Sequence, residues 1–398
     1  MIKLNFYFRQ KLLSFILYPL TFLIATSCTG LVKLSLPPEN EITEENSWLK
    51  LGRNEQRQNN VHKNISPPLN IVWDSGTKSV VTNHPLAVGD YIFAPTLNGT
   101  IYTFLYDTGE RIGDGKLTAA MGASPTIVGR DMYASGTIGD KTLIGFRLEK
   151  ADKFMKRKFP HINTSPVVTD NRIFFGSHNG VFYCVNQETG EKIWEFKAKS
   201  PIRSSPATVR QHIYFADDKG SVYALDMSSG VKIWESQLTG NIYSYPVLDD
   251  SLLYIGTTEG HFYALNLSTG KTNWQTKIEG AIFSSPSMYG NTLYLGNNAH
   301  TVKALDKHTG KTIWTFKTGG IVNTAPLASP DYVYVSSWDG NLYVLNRFSG
   351  ESVYQVEFKK PLKSSPIIFR DYVLVQTANG KMYALANEKF VAERSDRK

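Results

Sequence analysis

Residues 212–236 read His212-Ile-Tyr-Phe-Ala-Asp-Asp-Lys-Gly220-Ser-Val-Tyr-Ala-Leu-Asp226-Met-Ser-Ser-Gly230-Val-Lys-Ile-Trp234-Glu-Ser236. Apolar and polar side chains alternate over His212–Ala216 and again over Ser221–Asp226, which is the period of a strand. Each run is followed by a turn ending in glycine, the residue that takes the positive φ of a hairpin turn without steric cost. Val231–Ser236 alternates a third time, and a short apolar run begins just before it all, at Pro206-Ala-Thr-Val209. Four strands fit in about 40 residues.

The same unit recurs along the chain. Trp194, Trp234, Trp274 and Trp314 stand 40 residues apart, as do Gly190, Gly230, Gly270, Gly310 and Gly350. Pro85, Pro125, Pro166, Pro206, Pro246, Pro286, Pro326 and Pro366 extend the register, with one extra residue between the second and third. In phase with the prolines, the aromatic position reads Trp73, Gly113, Phe154, Trp194, Trp234, Trp274, Trp314 and Tyr354. Eight repeats of four strands predict an all-β fold, an eight-bladed β-propeller over residues 67–387. The last unit ends before its aromatic strand, and Asn70–Trp73 supplies an aromatic in that phase. The ring is therefore expected to close by pairing the first strand with the last blade, leaving no open sheet edge at the seam. A charged tail, residues 388–398, would follow.

The remaining composition limits the alternatives. The 398 residues are 41% hydrophobic and 20% charged, which excludes a disordered chain. Two cysteines exclude a disulfide scaffold and any Cys-rich metal site. Lys3, Arg9 and Lys11 precede an apolar run, Leu12–Ile24, interrupted by Pro19, and Ala25-Thr26-Ser27-Cys28 follows it. Residues 1–27 read as a secretory signal peptide. The small residues before Cys28 resemble the lipobox of bacterial lipoproteins, which implies a lipid on that cysteine. Its mature chain would carry a formal charge of +5 instead of +8 and would leave Cys184, inside an apolar strand pattern, as a buried inert thiol. Residues 28–66 are polar and aperiodic, and are expected to be a tether.

The recurring pattern Ala224-x-Asp226-x-x-x-Gly230-x-x-x-Trp234, repeated at Ala264 and Ala304, resembles the tryptophan-docking motif of the quinoprotein (PQQ) propeller superfamily. The resemblance covers about residues 48–387. Trp48…Gly52-Arg53-Asn54-Glu55-Gln56-Arg57 is similar to the segment that precedes many such propellers. It implies that Trp73, Trp194, Trp234, Trp274, Trp314 and Tyr354 dock blade on blade. Some superfamily members are dehydrogenases holding pyrroloquinoline quinone over calcium, and others are small lipoproteins. Cys28 and Cys184 cannot form the vicinal disulfide of the alcohol dehydrogenases. The long insertions of the larger enzymes are lacking, and no hydrolase elbow, phosphate loop or calcium loop is found. No cofactor, metal or catalytic residue is therefore expected.

The chain more closely resembles the BamB-type subunit of the outer-membrane β-barrel assembly machinery. That resemblance implies a non-catalytic, lipid-anchored scaffold on the periplasmic face of the outer membrane. Its partners would be the barrel-assembly machinery and unfolded outer-membrane proteins. The alternatives are a quinone- and calcium-dependent dehydrogenase, or a propeller that binds a small ligand or polysaccharide on its axis. Loops between blades and turns between the second and third strands share one face of a propeller. Arg203, Tyr243, Phe283 and Lys363 lie in the loops, three residues before a phased proline, and Trp338 lies in a turn. They are the candidate partner-binding residues, of types that dominate interface hot spots in the case of Arg, Tyr and Trp. The basic cluster Lys150–Lys158 reads as a solvated outer strand, with no nucleic acid as partner.

Overall fold

The computed structural model describes residues 30–81 and 84–395. Eight antiparallel sheets follow one another around an axis, so the expected eight-bladed propeller is what forms. Blade 4 is representative, with strands Ala207–Val209, His212–Ala216, Ser221–Asp226 and Lys232–Gln237 from the axis outward. The ring closes as predicted. Leu69–Gly76 pairs with Lys381–Asn387 as the outer strand of blade 8, with Trp73 opposite Ala384.

The repeat motif has a local reason at each place. Asp226 Oδ1 accepts the backbone N–H groups of Ser228 at 3.0 Å and Ser229 at 2.8 Å, closing an Asx turn. Asn266, Asp306 and Asn346 repeat this bond. Gly230 then takes a φ of 73°. His300 stands where the seven other blades have glycine and adopts the same left-handed backbone, with φ 60°. The aliphatic and aromatic faces of the middle strands are buried between neighbouring sheets, with Ile213, Phe215, Leu253 and Ile255 all at 0% exposure.

Residues 30–66 are not a free tether. Leu34, Leu36, Trp48, Leu51, Val61 and Ile65 are buried, and Ser47–Trp48 adds a fifth strand to blade 1 beside Ala87–Val88. Beyond Trp48 the segment walks around the axis. The carbonyls of Leu49, Glu55, Gln56, Gln58 and Asn59 accept the inner-strand N–H groups of Ile127, Thr208, Leu248, Met288 and Ala328, on blades 2, 4, 5, 6 and 7. Arg57 is 1% exposed and donates to the carbonyls of Leu51 and Pro206. Burial lowers its pKa to about 10. Asn64 donates to Asp331 and Lys63 pairs with Asp371, both at turns between first and second strands. The segment thus plugs that face of the ring, here the plug face, and leaves the other, the mouth face, open.

The charged tail also packs. Glu388–Ser395 is a helix whose Phe390 ring meets Tyr372 edge-on, while Arg394 donates to the carbonyl of Asp107. The signal peptide and Cys28 lie outside the described residues. Within the described residues no helix is long and apolar enough to cross a membrane.

Candidate binding site at the channel mouth

Each interblade loop places the residue three before its phased proline at the same height around the axis. Asn163, Arg203, Tyr243, Phe283, Asn323 and Lys363 consequently line one cavity of about 470 Å³. Below them Ser205, Ser285 and Ser365, one before the proline, contribute hydroxyls, and Leu51 of the plug also lines the cavity. The second blade has Gly122 in the ring, and a Cβ there would collide with Asn163 Oδ1.

Three of the candidates form a continuous stack. The Arg203 guanidinium lies 5.3 Å from the centroid of Tyr243, whose ring is parallel to that of Phe283 at 5.7 Å and 6°. All three are partly exposed. Arg203 Nε also faces Asp218 Oδ2 at 3.3 Å. Burial pushes the Asp218 carboxyl up to about 6 against the pull of Arg203, and its other oxygen is buried without a hydrogen-bond partner. Across the mouth, Lys363 Nζ stands 4.3 Å from the Trp338 ring, a cation–π contact between blades 8 and 7. Trp338 is half-buried by it, and its backbone N–H donates to the carbonyl of Ile321.

The structural aromatics are elsewhere. The indole N–H groups of Trp73, Trp194, Trp234, Trp274 and Trp314 donate to the carbonyls of Tyr106, Met227, Leu267, Lys307 and Arg347 on the next blade. Tyr354 instead reaches the carbonyl of Leu69 with its hydroxyl at 3.4 Å. Cys184 is fully buried, and burial pushes its thiol up to about 12.

Sequence reasoning missed Asp218, Leu51 and the serine tier. Asp218 could have been found, because it stands in the same turn phase as Trp338, 12 residues after a proline. Leu51 could not, since nothing in an aperiodic segment signals a channel floor.

The cavity does not suit a calcium-held quinone. Calcium takes six to eight oxygen ligands with carboxylates among them, and the lining residues include two cations and no carboxylate. Among the described residues, no three His, Cys, Asp or Glu side chains gather as a metal site.

Comparison with known proteins agrees with the fold. The family described as outer membrane protein assembly factor BamB matches residues 152–243, 220–329 and 298–389, together more than half of the chain. No curated protein sequence matches. The crystal structure of BamB from Moraxella catarrhalis superposes with a TM-score of 0.68 at 16% identity, covering 80% of this chain and 99% of that one. A quinohemoprotein alcohol dehydrogenase of Pseudomonas putida superposes at 0.76 and 12% identity, covering 86% and 80%. A europium-containing methanol dehydrogenase gives 0.74 at 11% identity, covering 86% and 98%. At these identities the structural likenesses speak to the fold alone.

Proposed function

Because the chain belongs to the family of the outer membrane protein assembly factor BamB, we propose that it is a protein-binding scaffold of the bacterial envelope. In this reading a lipid on Cys28 holds it to the outer membrane, its propeller faces the periplasm, and it serves β-barrel protein assembly without catalysing a reaction. The observation that carries the binding site is the Arg203–Tyr243–Phe283 stack at an open, plugged-bottom cavity, with Trp338 and Lys363 across from it. Rigid aromatic and guanidinium groups around a concavity favour a protruding partner side chain, because little side-chain entropy remains to be lost on binding.

The test is affinity capture of the full chain from detergent-solubilised envelopes, followed by identification of what co-purifies. Recovery of the barrel-insertion subunit of the assembly machinery supports the reading. Its repeated absence from captures that retain intact propeller would sink the assignment. Calcium- and quinone-dependent dye reduction by the purified chain would turn the case toward an enzyme.

A further inference from the structure

Where the chain enters the propeller constrains where a lipid on Cys28 would put it. The N–H of Asp114, in the outer strand Arg111–Lys116 of blade 1, donates to the carbonyl of Gly30 at 3.2 Å. A Cβ on Gly115 would run into the Leu31 side chain, and one on Gly113 would stand 2.8 Å from Gly30 O. These two glycines make the groove into which the chain settles. Only Thr29 lies between Cys28 and Gly30, and two Cα-to-Cα steps span at most about 7 Å. A lipid on Cys28 thus cannot hold the propeller at a distance from the bilayer. It brings the circumference of blade 1 against it.

The same sector of the ring carries an unusual surface. Val80, Leu97 and Ile138 are 37%, 46% and 56% exposed. They are neighbours on the mouth face: Leu97 N–H donates to the carbonyl of Val80, the carbonyl of Leu97 accepts from Met121, and Ala120 bridges to Ile138. In the phase of Leu97, blades 3 to 6 carry His178, Asp218, Thr258 and Asn298, and in the phase of Ile138 they carry Asn179, Lys219, Glu259 and Ala299. Cations flank the apolar tips. Lys116, Lys141, Lys156, Arg157 and Lys158 lie in the mouth-face turn or at mouth-face strand ends of blades 1 and 2, with Asp140 among them. Lys153 reaches the carbonyls of Lys116 and Leu117 at the mouth-face end of blade 1, where burial, with Lys156 and Lys141 nearby, depresses its pKa. Asp140 pairs with Lys158.

We propose that this sector, blades 1 and 2 with the loop before them, is a contact surface for an anionic lipid bilayer. Val80, Leu97 and Ile138 enter the interface, while Lys116, Lys141 and Lys156 face the headgroups. The lipid decides which surface meets the bilayer, and apolar tips flanked by cations have the composition that lies in an anionic interface. The propeller then stands on edge, and the mouth residues of blades 4 to 7 stay open to a partner. This inference rests on the lipid-anchor reading of Cys28.

The test uses the full lipidated chain in vesicles of phosphatidylethanolamine and phosphatidylglycerol, three to one, containing doxyl-labelled lipid. Leu97→Cys, Ile138→Cys and Phe348→Cys variants each carry a bimane label, since Cys184 is buried and Cys28 is blocked by its lipid. Phe348, 63% exposed in a plug-face turn of blade 7, is the control. Quenching at positions 97 and 138 should exceed that at 348 several-fold, and should fall in phosphatidylcholine vesicles. Equal or absent quenching at the three positions, in protein that remains on the vesicles, would overturn the contact surface. Insensitivity to the anionic lipid would overturn the role of the lysines. Failure of the anchor itself reads differently: Cys28→Ser would then leave the membrane-bound fraction unchanged.

Discussion

The indole of Trp234 rests on Gly270 of the next blade, where a Cβ would stand 2.6 Å from Cε3, while its N–H donates to the carbonyl of Leu267 at 2.7 Å. Ring, glycine and carbonyl form one joint between blades 4 and 5. Trp234→Ala should cost about 3–5 kcal/mol, through lost burial and an uncollapsed gap. Gly270→Ala should also destabilise, because φ is 70° there and the ring blocks the methyl group. Denaturant titration measures both. A Trp234→Ala midpoint equal to that of the parent would remove the docking role, and lost partner capture at full stability would reassign the residue to binding.

Lys50, Arg53 and Arg57 sit in the segment that circles the axis, so trypsin can ask whether it is a plug or a tether. In the native state the segment should survive digestion that cuts the urea-unfolded chain at all three. Rapid native cleavage after Arg53 or Arg57 would contradict the packing. Arg57→Ala should lower stability by about 2–4 kcal/mol, because it opens a gap and strands the buried carbonyls of Leu51 and Pro206.

Blade count, closure at Trp73 and the ring of mouth residues were legible because each obeys a 40-residue period, and a period needs no partner to be seen. The plug was illegible for the matching reason. Its contacts follow the spacing of blades around the axis, so Glu55, Gln56, Gln58 and Asn59 each meet a different blade with a backbone carbonyl, whatever their side chains. Composition then reads such a stretch as polar linker although Trp48 and Arg57 are each only 1% exposed. The stack of Arg203, Tyr243 and Phe283 lies between these cases. Phase gave the positions, while their mutual contact and the ion pair to Asp218 required the curvature of the ring.

The raised Asp218 pKa sets a direction for pH. A carboxyl that is pushed up to about 6 in the fold binds its proton before the unfolded chain does, so its burial penalty is present above pH 6 and fades as pH falls toward 4. Asp218→Asn removes the titration while keeping the shape. The stability of this variant relative to the parent should be greatest near pH 7.5 and should decline on acidification. A difference that stays constant from pH 7.5 to 4 would show that the carboxyl has its ordinary pKa.

Partner capture should depend on the mouth stack and not on exposed apolar surface as such. Tyr243 is held between Arg203 and Phe283, so Tyr243→Ala removes one ring and leaves the guanidinium without its platform. The Tyr243→Ala, Phe283→Ala double variant should weaken capture tenfold or more, equivalent to at least about 1.4 kcal/mol. Its melting temperature should change little, because both side chains are half-exposed and lie outside the blade cores. Tyr243→Phe keeps the platform and should bind as the parent does, which separates stacking from any bond made by the hydroxyl. Phe348→Ala, on the plug face, should be neutral. If instead Phe348→Ala abolishes capture while the double variant binds normally, the partner docks on the plugged face and the mouth is free for another ligand.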